Sequence, residues 1–214
     1  MRPSSGPARH ILWTATKTTA RDAVVGLLVG TVAGLVVAMA FNRWRVIEQG
    51  SMPVAMALRS VPLVAMTPLI VLVFGRDLLG VTVITGIVTF FPTLINVSLA
   101  LRSVPTSSVD LLRAYGASKG TTLWRVQLPY SLPTLFASIR IAAPLAVVGA
   151  CLAEYLATGK GLGYLQLTSA NSYEFDMMWT SIACMTFGAV VLYQVISAFE
   201  QVVLTRFAAD PDAR

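Results

Sequence analysis

The chain has 214 residues, of which 56% are hydrophobic and 12% charged, with mean hydropathy +0.72. A soluble domain carries about 25% charged residues, so this composition argues against a soluble enzyme and points to lipid as the main solvent. The net charge of +6 does not indicate a nucleic-acid partner, because the basic residues sit in short connections between apolar runs, where they govern topology.

In chain order, residues 1–22 form an N-terminal segment without a continuous apolar run, hence no secretory signal. A bilayer core of about 30 Å needs about 20 helical residues, and five segments supply them. The first, Ala23 to Phe41, is uncharged and carries Gly26, Gly30 and Gly34 at four-residue spacing, the pattern that lets helix backbones approach closely. The second, Met52 to Phe74, carries Arg59 near its start and is interrupted by Pro62 and Pro68. The third, Leu78 to Leu101, contains Pro92 and then Asn96, whose amide is placed to bond a carbonyl freed by the proline or, as a pathway residue, to contact the solute. The fourth, Leu132 to Ala157, holds Arg140, Pro144 and Glu154; the fifth runs from Met177 to Phe199. The four prolines fit helices that line a pathway better than a simple anchor. The fold class is therefore all-α: a polytopic membrane helix bundle over 23–205, with a tail at 206–214.

Three ionisable residues fall inside spans. Each costs about 2.5–3.5 kcal/mol at a helix centre, so such residues face the bundle interior or a watery cavity. Arg140 and Glu154 are separated by about 21 Å along one helix and need partners elsewhere. Arg59 and Arg140 either line the pathway or snorkel and pair structurally. Glu154, just before Gly161 and Gly163, serves as an outer gate or loop anchor, or makes a buried structural hydrogen bond. Cys151 and Cys184 lie in apolar segments and His10 is the sole histidine, which argues against a disulfide framework, a metal site or a Ser-His-Asp catalytic set.

The polar connection at about 102–130 stands apart. Ser107 is placed to cap a helix with Asp110 three residues on, near a capping-box pattern. Val109, Leu112 and Tyr115, with Leu111 and Ala114, give that helix an apolar side, and Gly116 is placed to stop it. Ser118 is placed to cap a second short helix carrying Leu123, Trp124 and Val126, ended by Leu128-Pro129 where the next span begins. Two short helices with a sharp bend would show apolar residues to water, a surface that serves either a protein partner or lipid. Counting Lys and Arg by side favours a cytoplasmic position for this loop by eight to six; Arg2, Arg9, Lys17 and Arg21 oppose it.

The loop resembles the EAA loop of binding-protein-dependent ABC importer permeases: Asp110-Leu111-Leu112, three residues, Gly116, nine residues, Val126, Gln127, Leu128-Pro129. The spacing is that of the EAA pattern, with Asp for Glu, Leu-Leu for Ala-Ala and Val for Ile. "LRSVPLVAMTPLIVLVFG", "FFPTLIN", "LPTLFASIRIA" and "AEYLATGKGLGYL" resemble the nitrate/sulfonate/taurine branch, over roughly residues 8 to 205. The resemblance implies a type I importer permease fold and a coupling helix that docks on a cytoplasmic ABC ATPase dimer, with Asp110, Leu111, Leu112, Ala114, Tyr115, Gly116, Ala117, Ser118, Leu128 and Pro129 at that contact. It implies a second permease subunit, an extracytoplasmic solute-binding protein, surrounding membrane lipid and a bacterial inner-membrane location. The solute would be small, such as nitrate, a sulfonate, taurine or a small heterocycle. No Gly-x-x-x-x-Gly-Lys-[Ser/Thr] phosphate loop occurs, so the chain is not expected to be an enzyme or to bind a cofactor; ATP and Mg belong to the partner. Members of the branch usually have six spans and five are found, the match starting at the second. Either the first span is absent or the start is internal, and this alignment puts the basic N-terminus outside. A channel or scaffold without ATP coupling, its loop binding lipid or a regulator, is the alternative.

Overall fold

The computed structural model describes residues 5–207. Residues 208–214, which make up most of the expected tail, and Arg2 lie outside the described residues. The described chain is helical: α1 (Ser5–Arg43), α2 (Arg45–Arg59), α3 (Leu63–Phe74), α4 (Leu78–Arg102), α5 (Thr106–Ala114), α6 (Lys119–Thr122), α7 (Leu128–Ala153), α8 (Gly161–Asn171) and α9 (Phe175–Phe207). Two π turns, Leu123–Gln127 and Glu154–Thr158, flank α7. Four runs are long and apolar enough to cross a membrane: Arg9–Arg43, Leu78–Arg102, Lys119–Thr158 and Phe175–Thr205. The pair α2 and α3 provides a fifth, bent by 102°.

That bend corrects the expected continuous second span. Pro62 has no N–H to donate, and its ring drives Val61 out of helical conformation; the chain restarts behind Pro62 at φ −61°, ψ 112°. Pro68, Pro92 and Pro144, expected to interrupt their spans as well, all lie inside unbroken helices. One missing donor is tolerated where neighbouring helices hold the backbone in place.

The expected end of the second loop helix at Leu128-Pro129 is also corrected. Helix continues from Lys119 through Thr158, because the π turn just before Pro129 widens the backbone ladder where the ring would otherwise break it.

The core seam joins α1 to α4. A Cβ on Gly26 would overlap the Thr85 side chain, and one on Gly30 the Thr89 hydroxyl and the Gly86 backbone. At Gly34 it would lie 2.8 Å from the Phe90 carbonyl. The Thr89 hydroxyl reaches the Gly26 carbonyl at 3.2 Å across the seam. In lipid there is no hydrophobic force between helices, so close backbone approach and such cross-helix bonds hold the bundle. On its other side α4 packs on α7, whose Ala142, Ala143, Ala146 and Ala150 are fully buried with Ala23 and Leu27 of α1. The α1–α4–α7 layer is thus the rigid centre, with α2–α3, α8 and α9 around it.

Candidate functional site

Residues of interest collect at the two ends of this centre. At the first end, α5 enters behind Pro105 (φ −54°, ψ 130°), and no side chain caps it. The cap expected from Ser107 is therefore absent: the helix has already begun at Thr106, because Pro105 fixes its entry. At the far end of α5 the Gly116 N–H donates to the Arg113 carbonyl and the Ala117 N–H to the Leu112 carbonyl, both at 2.9 Å. This reciprocal pair is the Schellman stop, and it requires the φ of +76° that Gly116 adopts. The Ser118 hydroxyl then accepts the Thr121 N–H at 3.2 Å and caps α6.

The bend projects apolar groups into solvent. Tyr115 is 83% exposed, Trp124 68% and Leu111 59%, values far beyond what a packed interior would leave. Asp110 is exposed and, among the described residues, paired only with Arg113 of its own helix, at 3.3 Å. Leu112, Ala117 and Leu128 are half-buried; Ala114, Ser118 and Pro129 are exposed.

The base of the element is fastened to the bundle. The Asn42 amide of α1 donates to Gln127 Oε1 at 2.8 Å, the Gln127 amide donates to the Leu101 carbonyl of α4 at 3.4 Å, and Arg102 of α4 forms an ion pair with buried Glu48 of α2. Sequence reasoning misses these four anchoring side chains; the one available signal is that Glu48 is a lone acid beside an apolar stretch.

At the opposite end, Glu154 is fully buried. Its Oε2 accepts both the Thr19 hydroxyl and the Gly163 N–H at 2.8 Å, and Thr19 Oγ1 accepts the Leu162 N–H at 2.8 Å. One carboxyl group therefore fastens α1 and the amino end of α8 to α7, with its acceptor oxygen at the positive end of the α8 dipole. Gly161 makes this possible: at φ +89° a Cβ would overlap the carboxylate. Above the cluster lies a polar cleft of about 250 Å³ bordered by Arg21, Asp22, Arg76, Asp77 and Lys160. Buried Asp22 is held there by Arg21 at 2.8 Å. Of this end, Glu154, Gly161 and Gly163 stand out in the sequence, whereas Thr19 does not, being one of several threonines in its segment.

Between the ends, Arg140 meets Glu200 of α9 at 3.1 Å, so its partner lies just past the expected end of the fifth span. Arg59 is exposed at the end of α2. Asn96 is half-buried and its amide bonds no carbonyl among the described residues, a correction to its expected role at Pro92. The candidate pathway residues Arg59, Pro62, Pro68, Asn96, Arg140 and Glu154 thus do not form one cluster. No group of three or more His, Cys, Asp or Glu side chains fit to hold a metal occurs among the described residues.

This architecture has known counterparts. The family described as Binding-protein-dependent transport system inner membrane component matches residues 30–208. The riboflavin transport system permease protein RibX of Chloroflexus aurantiacus is 32% identical over 162 residues, 76% of this chain and 60% of that protein. The formylaminopyrimidine transport permease protein ThiX of Halalkalibacterium halodurans is 27% identical over 180 residues, 84% of this chain and 72% of that one. In fold, the chain superposes on a chain of the inward-facing MetNI methionine ABC transporter with TM-score 0.77 at 20% identity, covering 96% of this chain and 100% of that chain.

Proposed function

Because the chain belongs to the binding-protein-dependent transport system inner membrane component family, we propose that it is the membrane-spanning permease subunit of an ATP-driven importer in a bacterial cell membrane. It passes a small solute handed over by an extracytoplasmic binding protein, and it hydrolyses nothing itself; ATP and Mg belong to a cytoplasmic ATPase pair. The observation that carries this reading is the bent α5–α6 element, which holds Leu111, Tyr115 and Trp124 in water on a Schellman stop. A rigid element that keeps large apolar groups exposed is built for a partner.

The coupling follows from how the element is attached. The ATPase surface grips α5 through Asp110, Leu111, Leu112, Ala114 and Tyr115. Gly116, Ala117 and Ser118 fix the angle between α5 and α6, and Leu128-Pro129 leads into α7. When the ATPase pair closes, the loop moves as one body. The Gln127–Asn42 bond and the Arg102–Glu48 pair pass that movement to α1, α4 and α2, as in other switches where rigid elements rock between two packings. The bent pair α2–α3 exposes much of its apolar surface, including Val54, Leu72 and Val73. It faces a second permease subunit, the same chain or a similar one, with the solute passing between them past Arg59, Pro62 and Pro68. At the outer end the Glu154 cluster with Gly161 and Gly163 anchors the gate-forming turn. The two relatives described above are named for the transport of heterocyclic compounds, which supports a small heterocycle as the solute class ahead of nitrate, taurine or another sulfonate.

Reconstitution of the chain with a phosphate-loop ATPase and a binding protein tests the proposal. Gly116→Val, which puts a β-branched side chain at φ +76°, is expected to abolish ATP-driven uptake while the chain still inserts. Solute flux that ignores both ATP and this substitution would overturn it in favour of a passive channel.

A further inference from the structure

A groove open toward the membrane runs between α1 and α9. Its walls include Trp13 and Val24 on α1 and Phe187 and Val191 on α9; Val147 of α7 and Leu162 of α8 form its floor. The groove's volume is about 490 Å³, within the range of small-molecule sites. The two walls barely touch each other. Trp13 is 60% and Phe187 71% exposed, so the chain leaves the groove unfilled. The hydroxyls bordering it are those of Thr16 and Thr19, and Thr19 is already committed to Glu154 and Leu162. The interior therefore suits an alkyl chain and offers little to a polar solute.

A charge stands beside Trp13, on the outer part of the α1 wall. Lys17 lies one turn from Trp13 on the same helix face, its Nζ 4.8 Å from the ring centroid. It pairs with no carboxylate among the described residues. After Asp22 no charged residue follows until Arg43, and Lys17 stands about 9 Å before that uncharged run begins. A lysine and a tryptophan at this level are at headgroup depth, where such side chains anchor. An apolar slot that runs inward from this level along α9, whose lining residues Cys184 to Val195 lie within the uncharged run 177–199, with one cation unpaired among the described residues beside its aromatic rim, matches a lipid. A packed transmembrane helix would fill the slot but leave the ammonium without a counter-charge.

We propose that this groove binds an acyl chain of an anionic phospholipid, with the phosphate held by Lys17, in the leaflet on the side of the α1 amino terminus. The lipid bridges α1 and α9 where the protein itself does not. The site is independent of the loop and of the import reading.

Trp13 is a built-in probe. In a chain with Trp44, Trp124 and Trp179 changed to phenylalanine, reconstituted in nanodiscs, brominated phosphatidylglycerol should quench Trp13 with about a fivefold preference over brominated phosphatidylcholine, the enrichment one basic residue gives near anionic lipid. Lys17→Gln should remove the preference. Gly188→Phe should remove the quenching itself, since Gly188 faces the slot and a Cβ there meets nothing. Mass spectrometry of lipid retained by the purified unmodified chain gives a reading that needs no variant: phosphatidylglycerol should be enriched over the host membrane. Equal quenching by both lipids, a preference that survives Lys17→Gln, or no enrichment of retained phosphatidylglycerol would overturn the proposal. Absence of quenching by either lipid would overturn it too, and would mean that a protein helix fills the groove.

Discussion

Gly116 and Gly161 stand at opposite ends of the same bundle, both at positive φ, +76° and +89°. Around Gly116 a Cβ would meet nothing, whereas at Gly161 it would overlap the Glu154 carboxylate. The first glycine serves backbone direction alone and sets the angle of an exposed lever. The second serves direction and space together, and lets a helix amino end close over a buried carboxyl group. The loop end is thus built to present a surface to something else, and the Glu154 end is built to hold itself together. Substitutions at the two ends should separate stability from coupling.

The largest effect is expected at Gly161. Gly161→Ala combines left-handed strain with overpacking and should destabilise the folded chain by about 4 kcal/mol, read as a large fall in thermal unfolding temperature in detergent. Wild-type stability for this variant would mean that the close contact with Glu154 is absent. Glu154→Ala comes next: it leaves the Gly163 N–H and the Thr19 hydroxyl buried without their acceptor, at a cost of about 3 kcal/mol. Glu154→Gln keeps one acceptor oxygen and should recover more than half of that loss. If Gln were as damaging as Ala, the negative charge and not the hydrogen bonding would be what the cluster uses.

Effects at the loop end should be smaller in stability and larger in function. Gly116→Ala meets only the φ penalty, about 1–2 kcal/mol, spent locally. Amide exchange at Gly116 and Ala117 should accelerate and coupled ATP hydrolysis should fall, while the unfolding temperature of the bundle barely moves. A drop as large as that of Gly161→Ala would erase the distinction between the ends. The smallest change is expected from Ser118→Ala, which removes the α6 cap for about 1 kcal/mol. Frayed α6 amides in hydrogen exchange would be its signature.

The two ends also differ in how far they can be read from residues alone. The loop is local: the Schellman stop closes over Leu112 to Ala117 and the Ser118 cap over four residues, so Gly116 and Ser118 can be placed from spacing. Even there, Ser107 loses its expected role because Pro105 two residues earlier sets the helix entry. The Glu154 cluster is long-range, Thr19 lying 135 residues away in sequence. Arg140 with Glu200 and Gln127 with Asn42 are likewise pairs between distant helices. The prolines teach the same lesson. Pro62 stands at the break between two helices while Pro68, Pro92 and Pro144 lie inside unbroken ones, although each lacks the same N–H.

By itself the sequence determines that this chain is a bundle of membrane helices, where the apolar runs fall, that small residues on the first run seek a close neighbour, and that a bent polar loop interrupts the series. Hydropathy and turn chemistry act within one or two helical turns and need no knowledge of the rest of the chain. Only the tertiary structure decides which helix faces which, and with it the partners of Glu154, Arg140 and Arg102, the break at Pro62, and the unfilled groove between α1 and α9. A buried charge takes whatever counter-group packing brings to it, and packing is settled by the whole bundle at once.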